Sequence, residues 1–423
     1  MKETPREYLE RRGSISRPWF SVPGNSVPRP DAGTPDIPVA AVIPCHNEYP
    51  GVFAVLASLA ASAEYASGGD RAAGTVGTVG TGMFYAICVV NNRESDSGEV
   101  KENNLQLLKL LEGKTEKNLQ VIGIDCASPG RCLPEGQGVG LARKIGMDYA
   151  LSLFADMRGS SRGTELTASG VISCLDADTT VSRDYCSALV RFGTEGRHGG
   201  AALSFAHRQD GEEREAKIAR EYESWLLEHS RRLRLAGSPY YPTALGSAIA
   251  CTIPAYIAAG GMNCRLAGED FYFLQSLIKT GSVAPLVAAG GDALVFPSSR
   301  ISSRVPFGTG PKIDAVLRGA EMIQPFREES YRILRCWLAL VQSSVPRMVN
   351  TGDPEKETLL EEAQGISGYL YRFLEAERFS PVWEKLFRNN KTSSERLLHA
   401  FHCWFDGLKT IRLFHYLEEK NEP

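Results

Sequence analysis

The chain has 423 residues, 43% of them hydrophobic, and a formal net charge of −3 at pH 7. Its length exceeds that of one average domain, which predicts two domains or one large domain with an added element. Because there is no basic excess to neutralise a phosphate backbone, we expect no nucleic-acid partner.

Cysteine usage and the first residues predict the compartment. Ten cysteines lie between Cys45 and Cys403 without a C-x-x-C pair, a pattern that favours packed, reduced thiols in a reducing cytosol. The first residues are charged and lack the apolar stretch of a signal peptide, and no uncharged apolar run reaches membrane-spanning length. We therefore expect a cytoplasmic protein with no transmembrane segment and at most peripheral membrane association.

Short apolar runs alternate with longer helical patterns from Ile37 onward, an alternation typical of a parallel sheet with crossover helices. Residues 1–36 are rich in Pro, Arg, Ser and Gly, which predicts an extended lead-in instead. The runs predict strands at 39–43, 85–90, 121–124, 171–175 and 201–205, and helices at 52–66, 103–111, 139–154, 182–192 and 212–235.

The last hundred residues have a different pattern. Beyond Gly310 the apolar residues repeat every 3.6 positions, which predicts an all-helical C-terminal extension over 311–423. The main α/β domain is therefore expected at 37–310. Two glycine-rich loops inside it, 74–82 and 158–163, are typical of surface segments.

Two aspartates follow the predicted strand that ends at Leu175. In Asp176-Ala177-Asp178, alternation along an extended strand points both carboxylates to one side, where they can hold a hard divalent cation and, through it, a diphosphate. The carboxyl end of a strand in an open α/β sheet is also where ligands bind. A solvated turn is the alternative interpretation, because Asp is a common turn residue.

Polar residues also follow the first predicted strand. Pro44 ends its apolar run, and the next residues include His46, Asn47 and Glu48, whose polar groups can hydrogen-bond a base or a ribose. An ordinary strand-to-helix loop is the alternative. His46 has no His or Cys partner at metal-ligand spacing, so we interpret it as a polar loop residue.

An acidic pair, Glu269-Asp270, opens a predicted helix. Carboxylates at this end of a helix are stabilised by its dipole and serve as caps. The alternative is a catalytic base that takes a proton from an acceptor hydroxyl.

The order of these motifs resembles glycosyltransferase family 2, whose members share the GT-A fold. The resemblance covers roughly residues 37–300. It implies a GT-A-like α/β fold, with a mostly parallel sheet flanked by helices, and a nucleoside-diphosphate-sugar donor linked to UDP or GDP. The motifs are Ile43–Glu48, Val89–Asn92, Asp176–Asp178, Gly246-Ser247 with Gly260-Gly261, and Gly268–Asp270.

The resemblance also implies donor contacts. Pro44, Asn47 and Glu48 would line the nucleotide site. The family's second strand commonly ends in an acidic pair that contacts the base, whereas this chain has Asn91-Asn92. An amide both accepts and donates hydrogen bonds, so binding stays plausible while the identity of the base is open.

The chemical roles are implied in the same way. Asp176 and Asp178 would serve a divalent metal, Mn²⁺ or Mg²⁺, and the donor diphosphate. Asp270 would be the catalytic base of an inverting transfer, with Glu269 beside it near the acceptor. The acceptor itself, whether glycan, lipid or small molecule, is not identified by the sequence.

Four basic residues are further candidates for binding the donor phosphates. Arg143 and Lys144 lie in a segment of small residues that looks like the family's segment ahead of the metal strand. Arg300 and Arg304 lie in a loop rich in Ser and Gly that could fold over a diphosphate. An exposed helix face and a structural turn are the respective alternatives.

The sequence thus predicts a metal-dependent glycosyltransferase. A nucleotidyltransferase-like enzyme is an alternative, although the chain lacks the Gly-rich loop with Arg or Lys after the first strand. A non-catalytic nucleotide-sugar-binding protein is another, favoured by Asn91-Asn92 and by the absence of a His between His229 and His399 that could complete a metal site.

Overall fold

The computed structural model describes residues 3–20, 37–68, 83–158, 170–300, 309–320 and 324–420. The predicted loop at 74–82, most of the one at 158–163, and Arg304 lie outside these ranges.

Within the described residues, each strand predicted from the sequence is present, with ends shifted by a few positions, and several short strands are added. The strands are β1 (Pro38–Cys45), β2 (Met83–Asn91), β3 (Thr115–Glu116), β4 (Leu119–Cys126), β5 (Val171–Cys174), β6 (Thr180–Val181), β7 (Gly200–Leu203), β8 (Ile249–Thr252), β9 (Val283–Leu286) and β10 (Val295–Phe296).

The helices predicted from the sequence are also present. The described helices are α1 (Pro5–Arg12), α2 (Val52–Ala66), α3 (Gly98–Leu111), α4 (Val139–Arg158), α5 (Tyr185–Glu195), α6 (Glu213–Leu235), α7 (Ile253–Ala258), α8 (Glu269–Thr280), α9 (Thr309–Leu317), α10 (Glu328–Thr351), α11 (Lys356–Ile366), α12 (Gly368–Ala376), α13 (Phe379–Asn390), α14 (Ser394–Trp404) and α15 (Gly407–Lys420). Of these, α1 and α7 are added to the predicted ones.

The main sheet has the strand order β3-β4-β2-β1-β5-β8-β7-β9. Strands β4, β2, β1 and β5 are parallel to one another, whereas β8 runs antiparallel to its neighbours β5 and β7. From β1 the chain adds β2 and β4 on one side and later returns to add β5 on the other. The gap between the ends of β1 and β5 is therefore a topological switch point, where open α/β sheets bind ligands.

Helices cover both faces of this sheet. On one face, Gly146 of α4 approaches so closely that an added Cβ would lie 2.4 Å from Val42 Cγ1 and 2.9 Å from Val89 Cγ2. On the other face, Gly193 of α5 approaches Val171 in the same way, and α5 packs against α2. Burial on both faces explains why the central strands are almost continuously apolar. The predicted α/β fold with a mostly parallel sheet flanked by helices is confirmed.

The N-terminal residues form a helix, in contrast to the extended lead-in that their composition predicts. The helix α1 begins with a capping box, in which the Thr4 side chain accepts from the Glu7 backbone N–H and Glu7 accepts from that of Thr4. Pro5 occupies the first turn, where a missing N–H is harmless. The prediction from composition overlooked this capping motif, Thr4-Pro5-Arg6-Glu7, because it considered the whole segment 1–36 together. Tyr8 of α1 is fully buried in the core that includes α4.

The chain divides into two compact units whose boundaries differ from the predicted ones. The first comprises Met1–Arg220 and Ala244–Ala320, and the second comprises Glu221–Thr243 and Glu321–Pro423. Most of α6, from Glu221 onward, is grouped with the C-terminal helices, to whose core Leu233 belongs. A single boundary placed where the strands stop does not assign Glu221–Thr243 to the second unit.

The second unit has an aromatic core of its own. Trp337 and Trp383 are fully buried, and Trp337 packs edge-on against Phe379 with ring centroids 5.4 Å apart. In the described part of this unit every regular element is a helix, as the 3.6-residue periodicity predicts.

Among the helices that the structure describes, none combines the length and apolar character needed to cross a membrane.

Candidate functional site

The predicted motifs meet at the carboxyl ends of adjacent parallel strands. The loop after β1 contains Asn47 and Glu48, and the loop after β5 contains Asp176 and Asp178. The Leu175 backbone N–H donates to a β1 carbonyl, 3.0 Å away, and so extends the pairing up to the aspartate triplet. Both loops therefore lie beside the switch point.

Arg143 is the centre of a buried ion-pair cluster. Its Nη2 lies 2.5 Å from Asp176 Oδ1, and its Nη1 donates to Glu269 Oε1. The guanidinium is almost fully buried, as is the Glu269 carboxylate, whereas Asp176 is more open. The helix α4 thus supplies a cation that joins the end of β5 to the first turn of α8.

Two glycines make room for this arrangement. A Cβ on Gly246 would lie 2.3 Å from Arg143 Nη2, so a larger residue would displace the guanidinium. A Cβ on Gly140 would lie 2.3 Å from the Arg265 carbonyl oxygen, in the loop that precedes α8. The close approach of α4 to this loop brings Arg143 within reach of Glu269.

The acidic pair of α8 has two different environments. Burial raises the pKa of Glu269, and the nearby Asp270 and Asp176 carboxylates add to this, while the Arg143 guanidinium opposes it. Asp270 is only partly buried, and its Oδ1 accepts from the Phe271 backbone N–H at 2.7 Å. The N-cap of α8 is Gly268, and no side chain caps the helix, so the capping interpretation of the acidic pair is wrong, although both carboxylates lie in the first turn. The role of Asp270 as a catalytic base stays a prediction.

Arg300 contacts the second aspartate of the triplet. Its Nη2 lies 3.0 Å from Asp178 Oδ2 and 2.7 Å from Glu48 Oε2, and its Nε lies 3.2 Å from Asp178 Oδ2. The guanidinium therefore bridges the loops after β1 and β5. The burial of Arg300 lowers its pKa, but the carboxylates of Glu48 and Asp178 more than offset this, and the pKa is raised overall.

Arg208 is a cation of this site that sequence reasoning missed. Its Nη2 donates to the Asp178 carbonyl oxygen at 2.8 Å and pairs with Asp210 at 2.7 Å. Arg208 fixes the main chain of the triplet rather than its carboxylates. No local motif predicts this role for Arg208. Asp178 is 30 positions away, and Asp210 lies in a loop without a recognisable motif.

The asparagines that end β2 are used internally. Asn91 Nδ2 donates to the Val89 carbonyl at 2.9 Å, and Asn104 of α3 donates to the Asn91 carbonyl and to Asn92 Oδ1, both at 3.0 Å. Asn104 Oδ1 in turn accepts from the Asn47 backbone N–H at 3.0 Å. Both Asn91 and Asn92 are buried, so they shape the wall of the predicted nucleotide site; direct contact with a base stays a prediction.

Other residues of the first loop are better placed for an external ligand. Pro44 is partly exposed and Asn47 is exposed, with a left-handed backbone (φ 58°) that asparagine tolerates well. His46 Nε2 lies 3.1 Å from Asp96 Oδ2, which agrees with its interpretation as a polar loop residue.

Lys144 does not share the cluster of its neighbour Arg143. Its Nζ pairs with Asp148 at 2.8 Å and donates to the Tyr8 hydroxyl at 3.1 Å. Asp148 also accepts from the Tyr256 hydroxyl at 2.6 Å and is completely buried. Successive residues of a helix point about 100° apart, so one step along α4 turns Lys144 away from the triplet. The structure thus does not support a phosphate-binding role for Lys144.

The chemistry of the triplet suits a hard divalent cation. The described residues contain no group of three His, Cys, Asp or Glu side chains that could hold a metal ion. A cation at Asp178 would therefore take its remaining ligands from water, and from the diphosphate once a donor is bound, both of which offer oxygen atoms that Mg²⁺ and Mn²⁺ accept. The Arg300 guanidinium, held between two carboxylates, shows that positive charge is favoured at this point.

Neither a protein-family model nor a curated protein sequence matches the chain. Solved structures to which it is similar include S. aureus TarS 1-349 in complex with UDP-GlcNAc (11% identity, 86% of this chain and 91% of that chain, TM-score 0.40). The same fragment in complex with UDP gives 12% identity, the same coverage and a TM-score of 0.37. At these identities and TM-scores, the likeness adds nothing to what the site's own residues support.

Proposed function

We propose that the chain is a glycosyltransferase that uses a nucleoside-diphosphate sugar. The observation that carries the proposal is the buried Arg143 bridge between Asp176 and Glu269. It joins a pair of aspartates at the switch point of a parallel sheet to an acidic pair at the start of a helix. Donor binding needs the first pair and deprotonation of an acceptor needs the second.

The donor would lie along the ends of β1 and β5. Its nucleoside would contact the loop of Pro44, Asn47 and Glu48, and its diphosphate would lie beside Asp176 and Asp178. The base, the sugar and the acceptor are left open. A cytoplasmic location stays a prediction.

The transfer itself follows from the acidic pair. Asp270, the more exposed of the two carboxylates, would take the proton of an acceptor hydroxyl while the acceptor oxygen bonds to the anomeric carbon. The bond between that carbon and the diphosphate oxygen breaks, the nucleoside diphosphate leaves, and the configuration inverts. Glu269, held by Arg143, would orient this end of α8.

A divalent cation, Mn²⁺ or Mg²⁺, would be held by Asp178, with Asp176 beside it, and would neutralise charge on the leaving diphosphate. Charge supports this assignment, because among the described residues of the site carboxylates outnumber guanidinium groups and would otherwise repel an anionic donor. The carboxylates are Glu48, Asp176, Asp178, Asp210, Glu269 and Asp270, and the guanidinium groups are Arg143, Arg208 and Arg300.

The test is thermal unfolding with a panel of UDP- and GDP-sugars, with and without Mn²⁺. The true donor at about 100 times its Kd should stabilise the fold by about 2.7 kcal/mol through linkage. Asp270→Asn should keep this stabilisation but abolish sugar transfer, while Asp314→Asn, at a surface ion pair with Arg318, should keep both. If no donor shifts the transition even at high concentration, the proposal is wrong.

A non-catalytic binding protein is the second candidate. It is favoured by the engagement of both aspartates of the triplet by arginines and by the internal use of Asn91 and Asn92. It predicts donor binding without donor turnover in the intact protein. The assay with Asp270→Asn separates the two, because only an enzyme has transfer to lose.

A further inference from the structure

We propose that the Arg300 guanidinium and a divalent cation compete for the Asp178 carboxylate, so that Arg300 sets the metal affinity of the site. The proposal deepens the function proposed above and rests on its assignment of a cation to Asp178. It starts from one contact: a single nitrogen, Arg300 Nη2, lies within hydrogen-bond distance of both Asp178 Oδ2 and Glu48 Oε2.

The first step concerns the oxygen that the two cations would share. Both Nη2 and Nε of Arg300 donate to Asp178 Oδ2, at 3.0 and 3.2 Å. A metal ligated by this carboxylate would come within a few ångströms of the guanidinium, and two positive groups so close repel strongly in a partly buried site. Simultaneous occupation is therefore unfavourable, and the carboxylate exchanges one cation for the other.

The second step concerns which partner can move. Glu48 is 7% exposed and Asp178 25%, whereas Arg300 is 41% exposed. The main chain of Asp178 is held independently by Arg208, which donates to its carbonyl oxygen at 2.8 Å. A shift of the more exposed Arg300 side chain can therefore break its contacts with Asp178 while the main chain of the aspartate stays in place.

The third step is the energetic consequence. Any free energy that stabilises the Arg300–Asp178 pair must be given up when the metal binds, so the pair weakens metal binding. An anionic diphosphate offers Arg300 another partner and would thereby weaken its competition for Asp178. Metal and donor are then expected to bind cooperatively, with little metal bound before the donor arrives.

The experiment measures Mn²⁺ binding to the intact protein by electron paramagnetic resonance of the free ion, with the metal alone as probe. Arg300→Gln should bind Mn²⁺ on the order of tenfold more tightly than the wild type, the range of a typical coupling between sites. Asp178→Asn combined with Arg300→Gln should abolish the gain. Arg318→Gln, which removes an exposed arginine paired with Asp314 at 3.0 Å, is the matched control and should bind as the wild type does.

Arg300→Gln also leaves the buried Glu48 without this cation and could impair folding. The double variant Glu48→Gln/Arg300→Gln removes both charges, which is much less destabilising than breaking a buried pair. It should show the same tighter Mn²⁺ binding, with circular dichroism as the check on folding. Unchanged or weaker Mn²⁺ binding in the folded variants would overturn the proposal.

The outcome is separable from that of the proposed function. Tighter Mn²⁺ binding in Arg300→Gln without stabilisation by any nucleotide sugar would support the competition and contradict the glycosyltransferase. Stabilisation by a donor with Mn²⁺ affinity independent of Arg300 would do the reverse.

Discussion

Arg143 holds together two acidic groups that lie far apart in the sequence. Its partners are Asp176 and Glu269, and its guanidinium is buried. Desolvation alone would lower the pKa of this arginine, but its carboxylate neighbours raise it, so the group stays charged. A buried charge is stable only while its partners remain, which makes this cluster sensitive to the loss of one member.

Replacing Arg143 by Gln should destabilise the protein by about 3–5 kcal/mol near neutral pH, because it leaves Glu269 buried without its cation. The loss should depend on pH. The pKa of Glu269 is already raised above its ordinary value of 4.5, and without Arg143 it rises further. A carboxyl whose pKa is higher in the folded than in the unfolded protein stabilises the fold at low pH. This contribution is lost as the pH rises through the folded-state pKa. Urea denaturation should therefore show a larger loss at about pH 7.5 than at about pH 5.

Two further variants test the explanation. Arg143→Gln/Glu269→Gln should recover part of the lost stability, since it removes the buried charge as well. Arg318→Gln breaks an exposed pair and should change stability by less than about 1 kcal/mol at either pH. A loss of equal size at both pH values would show that the raised pKa of Glu269 is not the cause.

The same residue marks a limit of prediction from sequence. The small residues around Arg143 and the acidic motifs could be found in the sequence, and a basic residue near phosphates was expected. The partners of Arg143 could not be found, because Glu269 is 126 positions away and the contact depends on how closely α4 approaches the loop before α8. For Lys144 the sequence did contain the information, because its partner Asp148 is four positions away on the same helix. The resemblance to the family's segment favoured a phosphate contact instead.

At the scale of elements, the N-terminal helix α1 explains a glycine pair of the family-like pattern. Gly261 has φ 76°, and a Cβ there would lie 1.8 Å from the Tyr8 hydroxyl. Gly260 likewise faces Arg12, whose Nη1 would lie 2.7 Å from an added Cβ. The pair therefore provides the surface on which α1 packs.

Replacing Gly261 by Ala should loosen α1. The left-handed backbone strains any L side chain, and the added methyl group collides with Tyr8, so we expect a destabilisation of about 1–3 kcal/mol. Hydrogen exchange of the backbone amides in Pro5–Arg12 should become faster than in the wild type. The expectation is contradicted if Gly196→Ala accelerates exchange there equally, because Gly196 has φ 59° but nothing within 4 Å.

Elements with a strong local signal could be predicted, and those set by tertiary packing could not. The helix α2 has its predicted bounds, because its apolar periodicity and its flanking turns indicate the same first and last residues. The strand β9 was missed, since none of its four residues is buried and, among the strands that the structure describes, it pairs with β7 alone. The antiparallel direction of β8 also depends on pairing that no local pattern encodes.

At the scale of the whole molecule, periodicity predicted an α/β part followed by helices, and composition predicted enough apolar residues for both. Neither pattern could predict that Glu221–Thr243 belongs to the same unit as the C-terminal helices. That assignment depends on tertiary contacts, such as those of Leu233 with the core of these helices. Each unit has a core of its own, which is the condition for a chain of this size to unfold in more than one step.

Trp337→Ala tests whether the two cores are energetically separate. Trp337 is fully buried among Phe379, Phe401 and Phe405, so its truncation should destabilise the second unit by about 3–5 kcal/mol. Hydrogen exchange should then accelerate in α14 and α15 but remain unchanged in β1. Leu227→Ala, at an exposed position of the same unit, should leave both regions unchanged. Equal acceleration in β1 and α14 would show instead that the two cores unfold as one cooperative structure.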